Sequence, residues 1–496
     1  MMNLKNKLLL GTAMGMCTGS LFAANAPKEK KESLPQKPNI VLIMADDLGY
    51  AGLSCFGGQG ISTPNLDSLA TNGVKFTNFY SNSTVCSPTR VALLTGRYQQ
   101  RVGLDHIYFH CLDDDGLDPG KNQVLAKQLK KAGYHTGVFG KWHLGSGEKY
   151  RPKAHGFDEF VGFLDGNIDF ISHHNTESTP DWWVDHKLHN QKGYATTLLN
   201  EAAVDFIDRN HDKPFFLYLP EAAVHVPMQG PNDSALRTDE YYTYKVDHLL
   251  PKEEYMRRYS EMVGCMDDGV GQIMQALRKY GIEENTLVIF LSDNGGERVG
   301  AKHGKVNGKF RGHKCTMYEG GIKVPALCYW KNHLQGGRIN EEVMLSMDIY
   351  PTLLRLAHIS KDENLHLDGV DLWDCIAEDK PLKERKLFWM HTDRLVMRDG
   401  NVKLIRQNGG VELYDLANDP QEKTNLAKQD CYADLVAQMV AESDEWHKNT
   451  ATGFPLEREI GVKVKTKWPC KRDLEKFNKG KKWEWNPDVN LQLQEK

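Results

Sequence analysis

NIVLIMADD, residues 39–47, is the part of the chain that says most about its architecture. The short apolar run Ile40–Met44 is typical of a strand buried on both faces of a sheet. Two carboxylates, Asp46 and Asp47, follow it almost at once. We therefore predict a central strand with two acidic side chains directly beyond its carboxyl end.

Apolar runs of the same kind recur along the chain and alternate with helical patterns. The runs are Gly137–Phe139, Pro214–Leu219 and Thr286–Leu291, and the helical patterns are Val124–Ala132, Leu198–Arg209 and Tyr255–Tyr280. Strands that alternate with helices predict an α/β fold with a mostly parallel sheet flanked by helices. Ligands of such sheets bind beyond the carboxyl ends of the strands, so the polar residues there are the candidates for a site.

The pattern changes after about residue 370. Short strand-like segments are followed by a helical one; they are Lys386–Trp389, Leu395–Arg398, Val402–Ile405, Leu413–Asp415 and the helix Tyr432–Trp446. We predict a main domain at 37–370 and a smaller C-terminal α+β subdomain with a small antiparallel sheet at 371–496. The basic stretch 458–482 is either solvated surface or a rim for an anionic substrate.

The first 26 residues have the pattern of a signal peptide. Lys5 and Lys7 precede an uncharged run, residues 8–21, and three alanines at 23, 24 and 26 offer cleavage sites. A single membrane anchor is the alternative, but glycine and hydroxyl residues weaken the run as a span. We expect a periplasmic or secreted protein without a stable membrane span.

The composition excludes several classes of protein. The chain has 496 residues, of which 40% are hydrophobic and 26% charged, an ordinary balance for a soluble globular protein. A formal net charge of -4 argues against a strongly cationic nucleic-acid binder. With 44 Gly and 20 Pro, the chain is neither collagen-like nor of low complexity.

The cysteines argue for an altered or unpaired thiol. The chain has 10 of them, and none form a C-x-x-C pair, so a cysteine zinc cluster is disfavoured. Cys17 lies within the predicted signal peptide, where a lipoprotein is a minor alternative. Its removal leaves an odd number, so at least one remaining cysteine must stay unpaired or be chemically modified.

CSPTRVALLTGR, residues 86–97, is the motif with the most chemical content. A thiol phosphatase loop needs an Arg six positions after its Cys, and position 92 is Ala. A disulfide or buried thiol is the structural alternative for Cys86 alone. The pattern Cys86-x-Pro88-x-Arg90, with Thr95-Gly96-Arg97 behind it, instead resembles the signature of the type I sulfatases, a branch of the alkaline-phosphatase-like superfamily.

The resemblance extends over roughly residues 38–425, with matching segments in the same order. They are Asp46-Asp47, the Cys86 signature, Gly140–Gly145, Ala223–Pro227, Ser292–Gly296, Gly312–Lys314, Tyr318–Gly321 and Glu412–Asp415. The resemblance implies an alkaline-phosphatase-like α/β/α sandwich. It further implies an exported bacterial carbohydrate sulfatase, which hydrolyses O-sulfate esters of glycosaminoglycan or mucin-type glycans.

The resemblance also implies how Cys86 acts. In this family a separate maturation enzyme oxidises the signature Cys to formylglycine (3-oxoalanine), whose hydrate carries two hydroxyls on one carbon. One hydroxyl attacks sulfur and forms a covalent intermediate. The second then loses its proton, the carbon–oxygen bond breaks, and sulfate leaves with the aldehyde restored.

A set of oxygen ligands follows two of the predicted strands: Asp46, Asp47, Asp293 and Asn294. Hard oxygen ligands in this number suit Ca²⁺ better than Mg²⁺. The resemblance implies one Ca²⁺ bound by these four residues and the modified Cys86. It also implies that Asp293 helps to deprotonate the hydrate.

Five further residues receive roles from the resemblance. Arg90 would orient the nucleophile, and Lys141 and Lys314 would bind sulfate oxygens. His143 would hydrogen-bond the formylglycine hydroxyl and assist its deprotonation, while His225 would contact the sulfate and protonate the leaving alcohol.

Two residues depart from the pattern of the family. Val224 stands where Pro commonly precedes the histidine, and Cys315 stands where Gly is frequent after the lysine. Neither change removes a reacting group, and both concern the local shape of the backbone.

Substrate recognition is less legible in the sequence. The segment 162–175 with Trp182 and Trp183 is polar, aromatic and loop-like, and we expect His173 or His174 to line a glycan subsite. A packed surface loop is the alternative. Two rival functions remain open: a phosphoester or phosphonate hydrolase on the same fold, and a glycan-binding protein with an inactive site.

Overall fold

The structure is a computed structural model that describes residues 35, 37–108, 116–238, 250–360 and 362–450. The predicted signal peptide 1–26, the basic stretch 458–482 and Cys17 lie outside the described residues.

The strands of the described chain are β1 Asn39–Ala45, β2 Val74–Phe76, β3 Phe79–Tyr80, β4 His135–Lys141, β5 Glu159–Phe163, β6 Trp183–Val184, β7 Lys187–Leu188, β8 Phe215–Pro220, β9 Thr286–Ser292, β10 Ala326–Tyr329, β11 Arg338–Asn340, β12 Met344–Leu345, β13 Lys386–His391, β14 Arg394–Asp399, β15 Val402–Gln407 and β16 Gly410–Asp415. The α-helices are α1 Pro64–Asn72, α2 Cys86–Thr95, α3 Gln99–Val102, α4 Leu125–Lys131, α5 Ala195–Asn210, α6 Lys252–Lys279, α7 Arg298–His303, α8 Glu319–Ile322, α9 Ile349–Leu356, α10 Trp373–Glu378 and α11 Ala433–Thr450.

A ten-stranded sheet forms the centre of the molecule, in the order β11-β2-β10-β9-β1-β8-β4-β5-β6-β7. Its middle five strands, β9-β1-β8-β4-β5, are all parallel. Antiparallel pairing occurs only towards the edges, at β9-β10, β10-β2, β5-β6 and β6-β7. The carboxyl ends of the middle strands therefore meet at one edge of the sheet, where α/β proteins bind their ligands.

The side chains of β1 alternate between two cores, one on each face of the sheet. Ile40, Leu42 and Met44 pack with α2, α4, α9 and α10. Val41 and Ile43 pack on the other face with α1, α5 and α6. Every residue of β1 is buried, and each large apolar side chain stabilises the fold by about 1.5–3 kcal/mol on burial. The predicted α/β/α layering is confirmed.

A separate four-stranded antiparallel sheet, β13-β14-β15-β16, lies in the C-terminal part. Together with Met439 of α11 it encloses a third core, to which Tyr80 and Met317 of the main part contribute. This is the α+β arrangement that the short strand-like segments predict. The boundary between residues 370 and 371 stays a prediction.

One detail differs from the sequence analysis. The segment predicted as a loop at 162–175 and 182–183 begins within β5, and Trp183 starts β6. Within the part of the chain that is described, no helix combines the length and apolarity that crossing a bilayer requires.

Candidate active site

Polar residues from four strand ends and one helix start converge at the carboxyl edge of the sheet. They follow or end β1, β4, β8 and β9, and they begin α2. They are Asp46, Asp47, Lys141, His143, His225, Asp293, Asn294, Cys86 and Arg90, and the loop residue Lys314 joins them. All ten are buried.

Cys86 faces a histidine whose proton can be placed. The Cys86 Sγ atom lies 3.2 Å from His143 Nδ1, and His143 Nε2 lies 3.0 Å from the carbonyl oxygen of Tyr108. A carbonyl only accepts, so Nε2 carries the hydrogen and Nδ1 presents its lone pair to Cys86. Burial, reinforced by the charge of Lys141, lowers the pKa of His143 well below its usual value. His143 is thus a neutral proton acceptor at position 86.

Arg90 holds Asp293 in place behind Cys86. Its Nη2 and Nε atoms donate to Asp293 Oδ2 over 2.9 and 3.2 Å, and Nη1 donates to the Lys141 carbonyl over 3.1 Å. Burial opposes the charge of Arg90, but Asp293 and Asp46 outweigh it and raise the pKa of the guanidinium. Arg90 therefore stays charged and fixes one carboxylate.

The two lysines each neutralise one of the neighbouring aspartates. Lys141 Nζ lies 2.7 Å from Asp46 Oδ2, and Lys314 Nζ lies 2.7 Å from Asp47 Oδ2. Burial raises the pKa of Asp46 well above its usual value, against the lowering effect of Lys141. A group of acidic side chains this close together requires positive charge nearby.

Lys314 also fixes the tautomer of His225. Its Nζ donates over 3.0 Å to His225 Nε2, and His225 Nδ1 lies 2.8 Å from the Val226 carbonyl. The hydrogen of His225 therefore sits on Nδ1, and burial with the charge of Lys314 lowers its pKa well below the usual value. In this arrangement the mobile proton of the pair resides on Lys314.

The oxygen cluster fits a divalent cation. Oδ1 of Asp46 and Oδ1 of Asn294 are buried without a hydrogen-bond partner in the described part of the chain. One ligand atom each from Asp46, Cys86 and Asp293 lie within 4.8 Å of one another. Unpartnered buried oxygens cost free energy, and a hard cation such as Ca²⁺ would satisfy them.

Several backbone positions around the site adopt unusual conformations. Asp47 and His143 have φ of 58° and 57°, a left-handed conformation that costs about 1–2 kcal/mol in a residue with a Cβ. Cys315 has φ of 68°, which explains why Gly suits this position. The Ala223–Val224 peptide is cis, as is Val226–Pro227.

Residues 311–319, here called the Lys314 loop, are held on both sides. On the catalytic side, the Lys314 amide donates to the Gly296 carbonyl over 3.0 Å. On the other side, Arg394 Nη1 of β14 donates to the Cys315 carbonyl over 2.7 Å. Two further side chains of the loop contact β16: Arg311 donates to the Tyr414 hydroxyl, and the Tyr318 hydroxyl donates to Glu412. The C-terminal sheet therefore sets the position of Lys314.

The two histidines expected in a glycan subsite line a pocket of their own. His173 stacks on Trp182 with ring centroids 4.4 Å apart, and its Nε2 lies 3.0 Å from the Gly193 carbonyl. His173 and His174 line a pocket of about 210 Å³ with His189. Their role in substrate binding stays a prediction.

Sequence reasoning missed four residues around the site. Glu297 has a carboxylate oxygen 3.7 Å from Lys314 Nζ, Tyr108 orients His143 through its carbonyl, and Arg394 supports the Lys314 loop. Asn307 donates to the Gly296 and Gly312 carbonyls and so links the segment after Asn294 to the loop that carries Lys314. The one sequence signal for Glu297 was that it follows the segment Ser292–Gly296 directly. The other three residues contact the site from positions far away in the sequence.

Two family models match the chain. Residues 38–359 match the model described as Sulfatase. Residues 308–449 match the model described as N-sulphoglucosamine sulphohydrolase, C-terminal.

Relatives and solved structures agree with these matches. The N-acetylgalactosamine-6-sulfatase of Homo sapiens is 34% identical over 381 residues, which cover 73% of this chain and 70% of the relative. The crystal structure of Ps i-CgsB has a TM-score of 0.75 and 30% identity, covering 86% of this chain and 96% of its own; it is also known in complex with k-i-k-neocarrahexaose. The phosphonate monoester hydrolase of Agrobacterium radiobacter shares the fold, with a TM-score of 0.59 and 21% identity over 84% of this chain and 96% of its own.

Proposed function

The chain belongs to the sulfatase family, with its alkaline-phosphatase-like fold and its hydrolysis of sulfate esters, and we propose that it removes O-sulfate from glycans. The proposed nucleophile is the formylglycine hydrate made from Cys86 by a maturation enzyme, beside one bound Ca²⁺.

One observation carries this proposal. Cys86 is buried at the start of α2, 3.2 Å from the bare Nδ1 of His143, and its sulfur lies within 4.8 Å of carboxylate oxygens of Asp46 and Asp293. A structural thiol needs neither a base nor a set of metal ligands. A nucleophile that must lose a proton next to a cation needs both.

The residues of the chain divide the remaining work. Formylglycine hydrate at position 86 would supply a nucleophilic hydroxyl and a second hydroxyl whose deprotonation releases sulfate. His143 accepts a proton at Nδ1, because its Nε2 hydrogen is committed to the Tyr108 carbonyl. Lys141 and Lys314 place positive charge where sulfate oxygens develop negative charge.

Protonation of the leaving alcohol involves the pair of Lys314 and His225. His225 Nε2 accepts from Lys314 in the structure, so it carries no proton of its own before substrate binds. We propose that Lys314 turns its N–H towards the sulfate when substrate binds, and that His225 Nε2 then takes a proton from water beside the bound anion and donates it to the leaving oxygen. The carboxylates of Asp47 and Glu297 outweigh the burial of Lys314 and raise its pKa, so Lys314 keeps its positive charge throughout.

A bound Ca²⁺ would polarise a sulfate oxygen and the nucleophile. Asp46, Asp47, Asp293 and Asn294 would hold it, because two of their buried oxygens have no partner among the described residues. In calcium-free buffer, addition of Ca²⁺ is expected to raise the Tm of the protein, since binding to the folded state alone stabilises it. Asp46→Asn is expected to weaken this shift, and an equal shift in both proteins would contradict the assignment.

The substrate class rests on the relatives. The human relative is named for N-acetylgalactosamine 6-sulfate, and the Ps i-CgsB structure was solved with an oligosaccharide. N-acetylgalactosamine 6-sulfate is therefore the first substrate to test, followed by sulfated oligosaccharides.

The chain offers a matched pair of variants for the test. Cys86→Ala is expected to abolish release of inorganic sulfate, whereas Cys315→Ala, a substitution of the cysteine next to Lys314, is expected to retain most of it. Mass spectrometry of both proteins checks that position 86 is modified only where a cysteine is present. Equal activity of the wild type and Cys86→Ala would refute the mechanism.

The rival functions give different results in the same assay. Sulfate and phosphate monoesters of one sugar are compared side by side, and we expect the sulfate ester to be preferred by orders of magnitude. A preference for phosphate would favour the phosphoester or phosphonate hydrolase. Binding of the sulfated sugar without turnover, in protein shown to contain formylglycine, would favour the inactive glycan-binding protein.

We also propose that the protein is exported and loses its signal peptide. Sequencing the N-terminus of the protein recovered from the periplasm or medium tests this, with an expected start shortly after residue 23 to 26. Retention of the native N-terminus in the cytoplasm would contradict it.

A further inference from the structure

A positively charged groove lies beside the active site. It has a volume of about 390 Å³ and is lined by residues of α7 and the segment that follows. Its charged side chains are Arg298, Lys302 and Lys305, with His313 at one end, and no carboxylate belongs to its lining. We call this the α7 groove.

Among the described residues, no carboxylate forms an ion pair with the cations of the α7 groove. Arg298, Lys302 and Lys305 are exposed, and none of them forms an ion pair with any carboxylate that the structure describes. Exposed arginines elsewhere on the surface behave differently: Arg209 and Arg355 each pair with acidic side chains. Three exposed cations without an ion pair among the described residues therefore line one groove, in a chain whose formal net charge is -4.

The spacing of these cations adds their fields together. Arg298 and Lys302 are one turn apart on α7, which places their Cβ atoms roughly 5–6 Å from each other. This is within the Debye length of about 8 Å at physiological salt, so an anion in the groove experiences several charges at once. A second depression follows along the chain, and its lining holds Lys309, Arg311 and Lys423 together with Gln421 and the buried Glu422.

The lining of the groove is tied to the catalytic centre by chain neighbours and by a hydrogen bond. His313, which lines the groove, precedes Lys314 in the chain. Arg298 follows Glu297, whose carboxylate lies 3.7 Å from Lys314 Nζ. Its lining residue Asn307 accepts from the Gly296 amide over 2.8 Å, two residues beyond Asn294. A sugar chain that places one sulfate at Lys314 can therefore extend into the groove.

We infer that the α7 groove is a subsite for a second anionic group, a sulfate or a uronate carboxylate, on the same glycan. This deepens the proposed function and rests on it: the substrate would be a polyanionic oligosaccharide rather than a singly sulfated sugar. Arg298, Lys302 and Lys305 would act as specificity residues that bind the substrate away from the reacting sulfate.

The first experiment measures binding without turnover. A fluorescently labelled chondroitin 6-sulfate hexasaccharide is titrated into protein carrying Cys86→Ala, at low ionic strength. Lys302→Gln/Lys305→Gln in this background is compared with Lys131→Gln/Lys213→Gln, which removes the same charge from exposed residues at the opposite end of the sheet. We expect the Kd to rise about tenfold for the first pair and less than about twofold for the control pair, because each exposed ionic contact is weak alone.

Addition of Arg298→Gln to the first pair should weaken binding further and flatten the salt dependence of Kd, since fewer charges remain to be screened. Equal Kd values for the two charge-matched pairs would overturn the subsite. Failure of the hexasaccharide to bind the Cys86→Ala protein at all would overturn it as well.

The second experiment separates the subsite from the proposed function. Otherwise wild-type enzyme with Lys302→Gln/Lys305→Gln is assayed on N-acetylgalactosamine 6-sulfate and on a trisaccharide that carries this sugar at its non-reducing end and a uronate next to it. We expect KM to rise only for the trisaccharide, with kcat on the monosaccharide unchanged. A parallel rise for both substrates would overturn the subsite, whereas loss of sulfate release by the wild-type enzyme on both would count against the proposed function instead.

Discussion

Lys141 and Lys314 bring the same charge to the same cluster of carboxylates, but different parts of the molecule hold them. Lys141 ends β4 in the middle of the parallel sheet, and its side chain is fully buried against Asp46. Lys314 lies on a loop that the C-terminal sheet supports through Arg394 and β16. One half of the site is thus built by the main fold itself, and the other half depends on contacts from a second sheet.

The comparison explains why the two sheets belong together in one protein. The edge of a parallel sheet can present residues from several strand ends, but they all point from one side. Lys314 reaches the cluster from a loop instead, and a loop needs support to hold a side chain within a fraction of an ångström. The Lys314 loop receives this support from β14 and β16.

The largest expected effect comes from removal of either lysine. Lys141→Met and Lys314→Met should each lower kcat/KM by about 10²-fold or more, since each removes charge stabilisation of the transition state. Their stabilities should differ. In calcium-free buffer Lys141→Met leaves Asp46 buried without its closest counter-ion and should cost about 3–5 kcal/mol, whereas Asp47 keeps Asn294 as a partner in Lys314→Met.

Urea unfolding with and without Ca²⁺ checks this difference. We expect the added Ca²⁺ to recover part of the loss in Lys141→Met, because the ion compensates the carboxylate. Equal losses of unfolding free energy in the two variants would show that the strand-borne and loop-borne lysines are held alike.

Glu221 is a carboxylate at the end of a main-sheet strand that, unlike Asp46, has no lysine beside it among the described residues. It follows β8 directly, is fully buried, and neither of its carboxylate oxygens has a hydrogen-bond partner among the described residues. Burial raises its pKa to about 8. Its titratable neighbours are Tyr194 and Cys265, whose pKa values are raised mainly by burial and to a lesser extent by Glu221.

The sign of the pH effect follows from that raised pKa. The protonated form is favoured in the folded state, so the contribution of Glu221 to stability is complete below its ordinary pKa of about 4.3 and is lost as the pH rises through about 8. Between about pH 5 and pH 8, the free energy of unfolding of Glu221→Gln should therefore rise by roughly 2–3 kcal/mol relative to that of the wild type. Denaturant unfolding of both proteins across this range is the measurement, and parallel pH profiles would contradict it.

A smaller effect is expected from the support of the Lys314 loop. Arg394→Gln removes the donor to the Cys315 carbonyl and should lower kcat about fivefold to tenfold, since mispositioning of a charged group weakens transition-state contacts. KM should change less than kcat, and Arg394→Lys should recover part of the activity. Arg406→Gln is the control, because Arg406 lies in the same sheet but contacts Ser443 and Asp444 of α11.

If both arginine variants lower kcat equally, the effect comes from general loosening of the C-terminal sheet. Formylglycine content measured in each protein excludes incomplete modification of Cys86 as the cause.

The smallest expected effect concerns Cys315. Its φ of 68° is left-handed, so Cys315→Gly relieves strain in the folded state but loosens the unfolded chain. These terms oppose each other, and we expect a change of less than about 1 kcal/mol with activity retained. Cys315→Val, which adds a branched Cβ, should lower the Tm clearly, and an equal Tm for Gly and Val would contradict the argument.

The sequence predicts the strand-borne half of the site better than the loop-borne half. Asp46, Asp47 and Asp293 follow apolar runs, and the carboxyl ends of parallel strands meet whatever the loops do. Lys314 was found by resemblance to a family, and no pattern points to Arg394 as its support. Contacts between residues 79 positions apart leave no local trace in the order of amino acids.

The tautomers of the two site histidines could not be predicted from the sequence either. The motif containing His143 suggests a role in deprotonation, but the direction of its hydrogen bond depends on the Tyr108 carbonyl, which belongs to another segment. The same holds for His225, whose proton position is set by Lys314 and the Val226 carbonyl. The α7 groove could not be foreseen either, because isolated lysines in a sequence are typical of any solvated helix.

The chemical state of residue 86 in active enzyme is the most direct test of the whole account. Protein with measured sulfatase activity is digested, and the peptide carrying residue 86 is analysed by mass spectrometry, with the fraction modified compared with specific activity across several preparations. The account predicts an aldehyde or its hydrate at this position and an activity proportional to its amount. Full activity in protein that carries an unmodified Cys86 thiol would contradict it.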